Sequence, residues 1–157
     1  MSFDPELDLR FERRVSCSPS HLWKGYTEPA RLMAWFCPRP WKVVECDLDL
    51  RPGGAFRTVM QGPEGERHDN TGCLLELVPD RRFVWTNALL PGFRPAPVSG
   101  DAMGFAFTSV VEFESAPGGA LYRATVSHRT RADRETNAAM GFEQGWSAAL
   151  EQLVALT

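Results

Sequence analysis

The sequence predicts an α+β fold: a curved antiparallel β-sheet gripping one long carboxy-terminal helix, with two short helices between the first and second strands. Three observations carry this reading. Segments in which apolar and polar residues alternate recur along most of the chain, and a period of two marks a strand with one buried face. The 13 glycines and 12 prolines in 157 residues cut those segments into hairpins. From about Asp133 the apolar period lengthens to three or four residues, as in a helix with one buried stripe.

Leu7, Leu9, Phe11 and Val15 alternate with Asp8, Arg10, Glu12 and Arg14 to give the first strand. Ser18-Pro19 follows as an N-cap and a proline at the first helical position, where a missing N–H costs nothing, and a helix runs to about Tyr26. Thr27-Glu28-Pro29 repeats that signal. Leu32, Trp35 and Phe36 then fall at helical spacing before Cys37-Pro38 stops the second helix. Val44, Cys46, Leu48 and Leu50 face away from Glu45, Asp47 and Asp49 in a second strand that ends at the hairpin Pro52-Gly53-Gly54.

Phe56, Thr58 and Met60 share a face in the third strand, and Cys73, Leu75 and Leu77 in the fourth. Phe83, Trp85, Asn87 and Leu89 form the fifth. After a loop from Pro91 to Gly100, Phe105, Phe107, Ser109, Val111 and Phe113 make the sixth, and Pro117-Gly118-Gly119 turns into the seventh, Tyr122, Ala124, Val126 and His128. The last helix presents Phe142, Trp146, Ala149 or Leu150, Leu153 and Leu156 on one side, with Gly141 and Gly145 inside it. Those glycines leave room either for close packing on the sheet or for a ligand.

One domain over residues 1–157 is expected, since folding at this length buries roughly two thirds of the chain's surface. With 17 Lys+Arg against 20 Asp+Glu and a net charge of -3, without runs of like charge, no face suits phosphate neutralisation, which excludes nucleic acid as a partner. No apolar run reaches the ~20 residues of a membrane span. The start, with Asp4, Glu6 and Asp8, is not a signal peptide, so a cytoplasmic location is expected. Cys17, Cys37, Cys46 and Cys73 lie far apart, as free thiols do, and neither a metal nor a cofactor is expected.

The element order, Trp23, the segment from Glu28 to Phe36, the turn Arg51-Pro52-Gly53-Gly54-Ala55-Phe56, Gly72 and Gly145-Trp146 resemble the START-like helix-grip (SRPBCC) superfamily. More narrowly, the chain is similar to the branch named after the activator of heat-shock protein ATPase. The resemblance runs from about Leu7 to Leu156. It implies a cavity between sheet and last helix that takes a hydrophobic small molecule. The co-chaperones that gave the branch its name resemble this chain only in their carboxy-terminal domain, so the resemblance implies the cavity rather than chaperone activation.

Strand parity puts Phe56, Met60, Trp85, Phe105, Phe107 and Trp146 on the face toward the helix, as a candidate pocket wall. No Asp or Glu faces inward by the same parity. Acid–base work would fall to His128, with Arg13 and Asn87 as polar partners, whereas His21 and His68 are expected to face solvent. The loop from Pro91 to Gly100 exceeds the usual hairpin length and is expected to cross the cavity mouth, with Phe93 as its plug. A binding protein for an apolar or aromatic ligand is the leading expectation, and a non-enzymatic one. The alternatives are a polyketide cyclase or dehydratase-like enzyme and an interaction domain. A second copy of the chain is a further candidate partner.

Overall fold

Strand β1 (Asp8–Val15) forms one edge of a seven-stranded antiparallel sheet and β2 (Lys42–Leu48) the other, so the chain between them must cross the whole sheet. It does so as two helices, α1 (Pro19–Thr27) and α2 (Pro29–Trp35). Hairpins then carry the chain back through β3 (Ala55–Gln61), β4 (Arg67–Val78) and β5 (Arg82–Thr86). A small pair, β6 (Leu89–Leu90) and β7 (Arg94–Pro95), stands apart from the sheet. The long hairpin β8 (Phe107–Ala116) and β9 (Gly119–His128) returns to β1, and α3 (Arg131–Ala139) and α4 (Phe142–Val154) end the fold. The spatial order is β1-β9-β8-β5-β4-β3-β2. This computed structural model describes residues 2–97 and 104–157.

The helices pack on one another because the sequence removes side chains where they meet. A Cβ on Gly25 of α1 would run into Leu153 of α4, and the Gly25 carbonyl accepts the indole N–H of Trp35 at 2.9 Å. Ser18 Oγ accepts from His21 N at 3.1 Å to start α1. The His21 ring then reaches the Leu153 carbonyl at 2.8 Å, which caps the last turn of α4, so His21 does not simply face solvent. Tyr26 stands at the centre of the core, its ring centroid 4.9 Å from Trp35, 5.0 Å from Phe83 and 5.8 Å from Phe113.

On the outer face of the sheet Arg57 bonds Asp47 at 2.8 Å and Asp69 at 2.9 Å, while Arg67 bonds Glu45 at 2.6 Å. The acidic row of β2 is thus one side of a solvent-exposed ion-pair ladder. Among the described residues no helix is long and apolar enough to cross a membrane.

Four local expectations are corrected. The final helix is two helices, because Gly141 adopts the left-handed region (φ 86°) between them, a conformation in which glycine alone is at ease. Strand β4 begins at Arg67, since β3 continues to pair with it through Gln61 where the sequence has no apolar alternation. The fifth strand stops at Thr86 because the Asn87 side chain takes over the bonding of the neighbouring backbone. Asp8 is buried, its carboxylate accepting from Asp4 N at 2.9 Å.

Candidate ligand cavity between sheet and helices

A cavity of about 310 Å³ lies between the inner face of the sheet and the helices, at the lower end of the size range of small-molecule sites. Alternation along β3 directs Phe56, Thr58 and Met60 into it. Gly72 stands opposite Phe56 and Asn70 opposite Thr58 in β4, and Trp85 and Phe107 continue the wall along β5 and β8. The helices contribute Gly145, Trp146 and Ala149 from α4, and the end of α2 contributes Phe36 and Cys37. Phe56 and Trp85 lie flat on one another, 5.0 Å apart and 6° from parallel, and Phe36 closes on Phe56 at 5.5 Å. An added Cβ at Gly145 would meet nothing within 4 Å. That glycine leaves open space rather than a tight helix–sheet contact.

The wall carries few polar groups, and most are engaged. Asn87 donates from Nδ2 to Phe105 O at 3.0 Å and accepts from Phe107 N at 2.8 Å through Oδ1. It clamps the chain entering β8. Tyr26 joins Tyr122 at 2.7 Å between hydroxyl oxygens. Burial pushes both phenols upward, with the partner hydroxyl adding to the rise at Tyr26. The Cys37 thiol is pushed up to about 11 by burial, so it stays protonated and is no nucleophile at neutral pH. Among the described residues no Asp, Glu, Lys, Arg or His lines the cavity, and no cluster of His, Cys, Asp and Glu could hold a metal ion.

Of the residues singled out from the sequence, Phe56, Met60, Trp85, Asn87, Phe107 and Trp146 line the cavity. Three do not. Phe105 is buried against His128 and Phe107, with centroids at 5.6 and 6.3 Å, because it precedes β8 and packs beneath the wall. His128 is also buried, its Nδ1 2.8 Å from Leu7 O and its Nε2 2.9 Å from Asn137 Nδ2, so it stands behind the wall, bonded to the lining residue Asn137 and opposite Phe107 in the sheet. Phe93 is no plug for this cavity. It is 51% exposed and lies over the Pro52-Gly53 turn, held there by the bond from Gly92 N to Gly53 O at 2.7 Å. The end of that loop, Val98-Ser99-Gly100, lies outside the described residues. Arg13 covers the Phe11 ring at 4.3 Å and pairs with Glu143 of α4 at 3.0 Å, away from the wall.

Sequence reasoning missed Tyr26, Thr58, Asn70 and Asn137 as lining residues. The four-residue spacing from Leu22 to Tyr26 was a legible sign that Tyr26 points inward. Asn137 sits in a polar helix and gave no comparable signal.

A curved antiparallel sheet closed by a carboxy-terminal helix, with a largely apolar cavity between them, defines a START-like helix-grip protein. The family model described as "Activator of Hsp90 ATPase homolog 1-like protein" matches residues 16–157. The chain belongs to that family. A crystal structure of a protein from Nitrosomonas europaea is similar at 40% identity over 97% of this chain and 94% of its own, with a TM-score of 0.90. One from Rhodobacter sphaeroides follows at 25% identity over 97% of this chain and 93% of its own, with a TM-score of 0.81. One from Mycobacterium smegmatis, at 23% identity over 97% of this chain and 91% of its own, with a TM-score of 0.77, shares the fold. Comparison with curated proteins finds no match.

Proposed function

We propose that this protein binds a neutral apolar or aromatic small molecule in the cavity between the sheet and α4. The observation that carries the reading is the wall itself. Stacked Phe56 and Trp85 line about 310 Å³ together with Trp146, and no charged side chain among the described residues lines the space. An anion would find no cation there and a cation no carboxylate, so either would lose its hydration without repayment. Purifying the protein from its own host and examining it by native mass spectrometry tests this. A retained mass belonging to an uncharged, largely hydrocarbon compound supports the reading; a retained charged metabolite overturns it.

One observation favours a cyclase or dehydratase-like reading: Tyr26 belongs to the wall and has a second hydroxyl, that of Tyr122, beside it. Proton transfer needs a group whose pKa lies near the working pH. Burial moves both phenols the other way, which weighs toward binding without turnover.

A further inference from the structure

We infer that the cavity selects a ligand carrying a hydrogen-bond donor, a hydroxyl or N–H on an otherwise apolar aromatic frame, and that Asn137 Oδ1 is the group that receives it. The inference rests on the proposed binding role and adds a polarity to it.

The Leu7 carbonyl accepts from His128 N at 3.0 Å and lies 2.8 Å from His128 Nδ1. A carbonyl can only accept, so Nδ1 is the ring nitrogen that donates to Leu7, while Nε2 faces the Asn137 amide nitrogen, which can only donate, at 2.9 Å and is its acceptor. The amide is thus turned with its NH₂ end on Nε2. That fixes the amide's orientation and leaves Oδ1 as its other end. Asn137 lines the cavity, and its Oδ1 has no hydrogen-bond partner among the described residues.

Other polar groups in the wall do not supply a fixed acceptor. Asn87 spends both ends of its amide on Phe105 and Phe107. Tyr26 is bonded to Tyr122, and the Thr58 hydroxyl turns to donate or accept alike. Asn70, nearer solvent, is held among the described residues by a single long bond of 3.5 Å to His68 O, too weak to fix its amide. The indole N–H groups of Trp85 and Trp146 can only donate. An acceptor held in place by buried neighbours discriminates more sharply than a rotatable one, because a ligand without a donor leaves it dry and unpaired.

Naphthol and its methyl ether, methoxynaphthalene, test this by isothermal titration calorimetry. They share a ring system and differ in the ability to donate. The wild-type protein should bind naphthol up to about tenfold more tightly, the value of one net hydrogen bond. In Asn137→Leu that preference should vanish while methoxynaphthalene still binds. His128→Phe, which frees the amide to rotate, should reduce the preference, and it serves if the leucine variant does not fold. Equal binding of both probes by wild type, or an unchanged preference in Asn137→Leu, overturns the role of Asn137 while leaving the binding cavity intact. Failure of both probes to bind overturns the aromatic-ligand reading and this inference with it.

Discussion

The hydroxyls of Tyr26 and Tyr122 lie 2.7 Å apart inside the core, tying α1 to β9, and neither side chain is more than 1% exposed. Each is the other's hydrogen-bond partner. Removing one hydroxyl leaves the second buried and unpaired, which costs about 1–3 kcal/mol, whereas removing both takes the penalty away with the bond. Tyr26→Phe and Tyr122→Phe should each lower stability in urea denaturation, and the double variant should lose clearly less than the two losses combined. Strict additivity would show that the hydroxyls are not coupled.

The same pair sets an alkaline limit. These are the only 2 tyrosines in the chain, and burial raises both above the ordinary value of 10.0. The unfolded chain therefore loses its phenolic protons first, so the contribution of this pair to stability is intact below about pH 10 and falls as pH rises toward the folded values. The slope approaches about 1.4 kcal/mol per pH unit for each tyrosine. Cys37 and Cys46, raised from 9.0 to about 11, add a smaller decline that begins near pH 9. The double phenylalanine variant should keep the cysteine decline and lose the tyrosine one. Tyrosinate absorbance that grows normally through pH 10 in the folded protein would contradict this.

Which parts of this arrangement were legible in the sequence depends on the kind of signal each residue sends. Phe56, Trp85 and Phe107 could be placed because strand alternation fixes the face of every second residue, and burial of one face is what the hydrophobic effect selects. His128 shares a face with Val126 by that same rule, yet Leu7 and Asn137 claim both its ring nitrogens. Parity tells where a side chain points, and not what meets it there. Phe93 misled for a related reason: an apolar residue in a long loop must cover something, but only the fold shows that Gly53 lies beneath it. The break at Gly141 was hidden because the apolar stripe begins only at Phe142, so the polar turns before it carry no period that could show where one helix ends and the next starts.

Ser109 provides a test of the sheet beneath the cavity. It is fully buried between its cross-strand neighbours Trp85 and Val126, and its Oγ has no hydrogen-bond partner among the described residues. A buried hydroxyl without a partner is a net cost. Ser109→Ala should raise stability by about 1 kcal/mol and the melting temperature by about 2–4 °C, with probe affinity unchanged. A lower melting temperature would show that the hydroxyl has a partner after all.

Gly145 separates the demands of the helix from those of the cavity. Inside α4 a glycine costs ~1 kcal/mol relative to alanine, and here the missing Cβ is not forced by a neighbour, since nothing lies within 4 Å of where it would stand. Gly145→Ala should therefore stabilise the protein, by up to that amount in thermal or urea denaturation. The added methyl points into space that the proposed ligand would use, so stability and binding should move in opposite directions. Gly145→Leu, which fills more of the cavity, should weaken methoxynaphthalene by about 1–3 kcal/mol, the scale set by one misplaced methylene in an apolar pocket. If Gly145→Leu binds that probe as well as wild type does, the ligand does not lie against α4, and the proposed site must be sought elsewhere along the sheet.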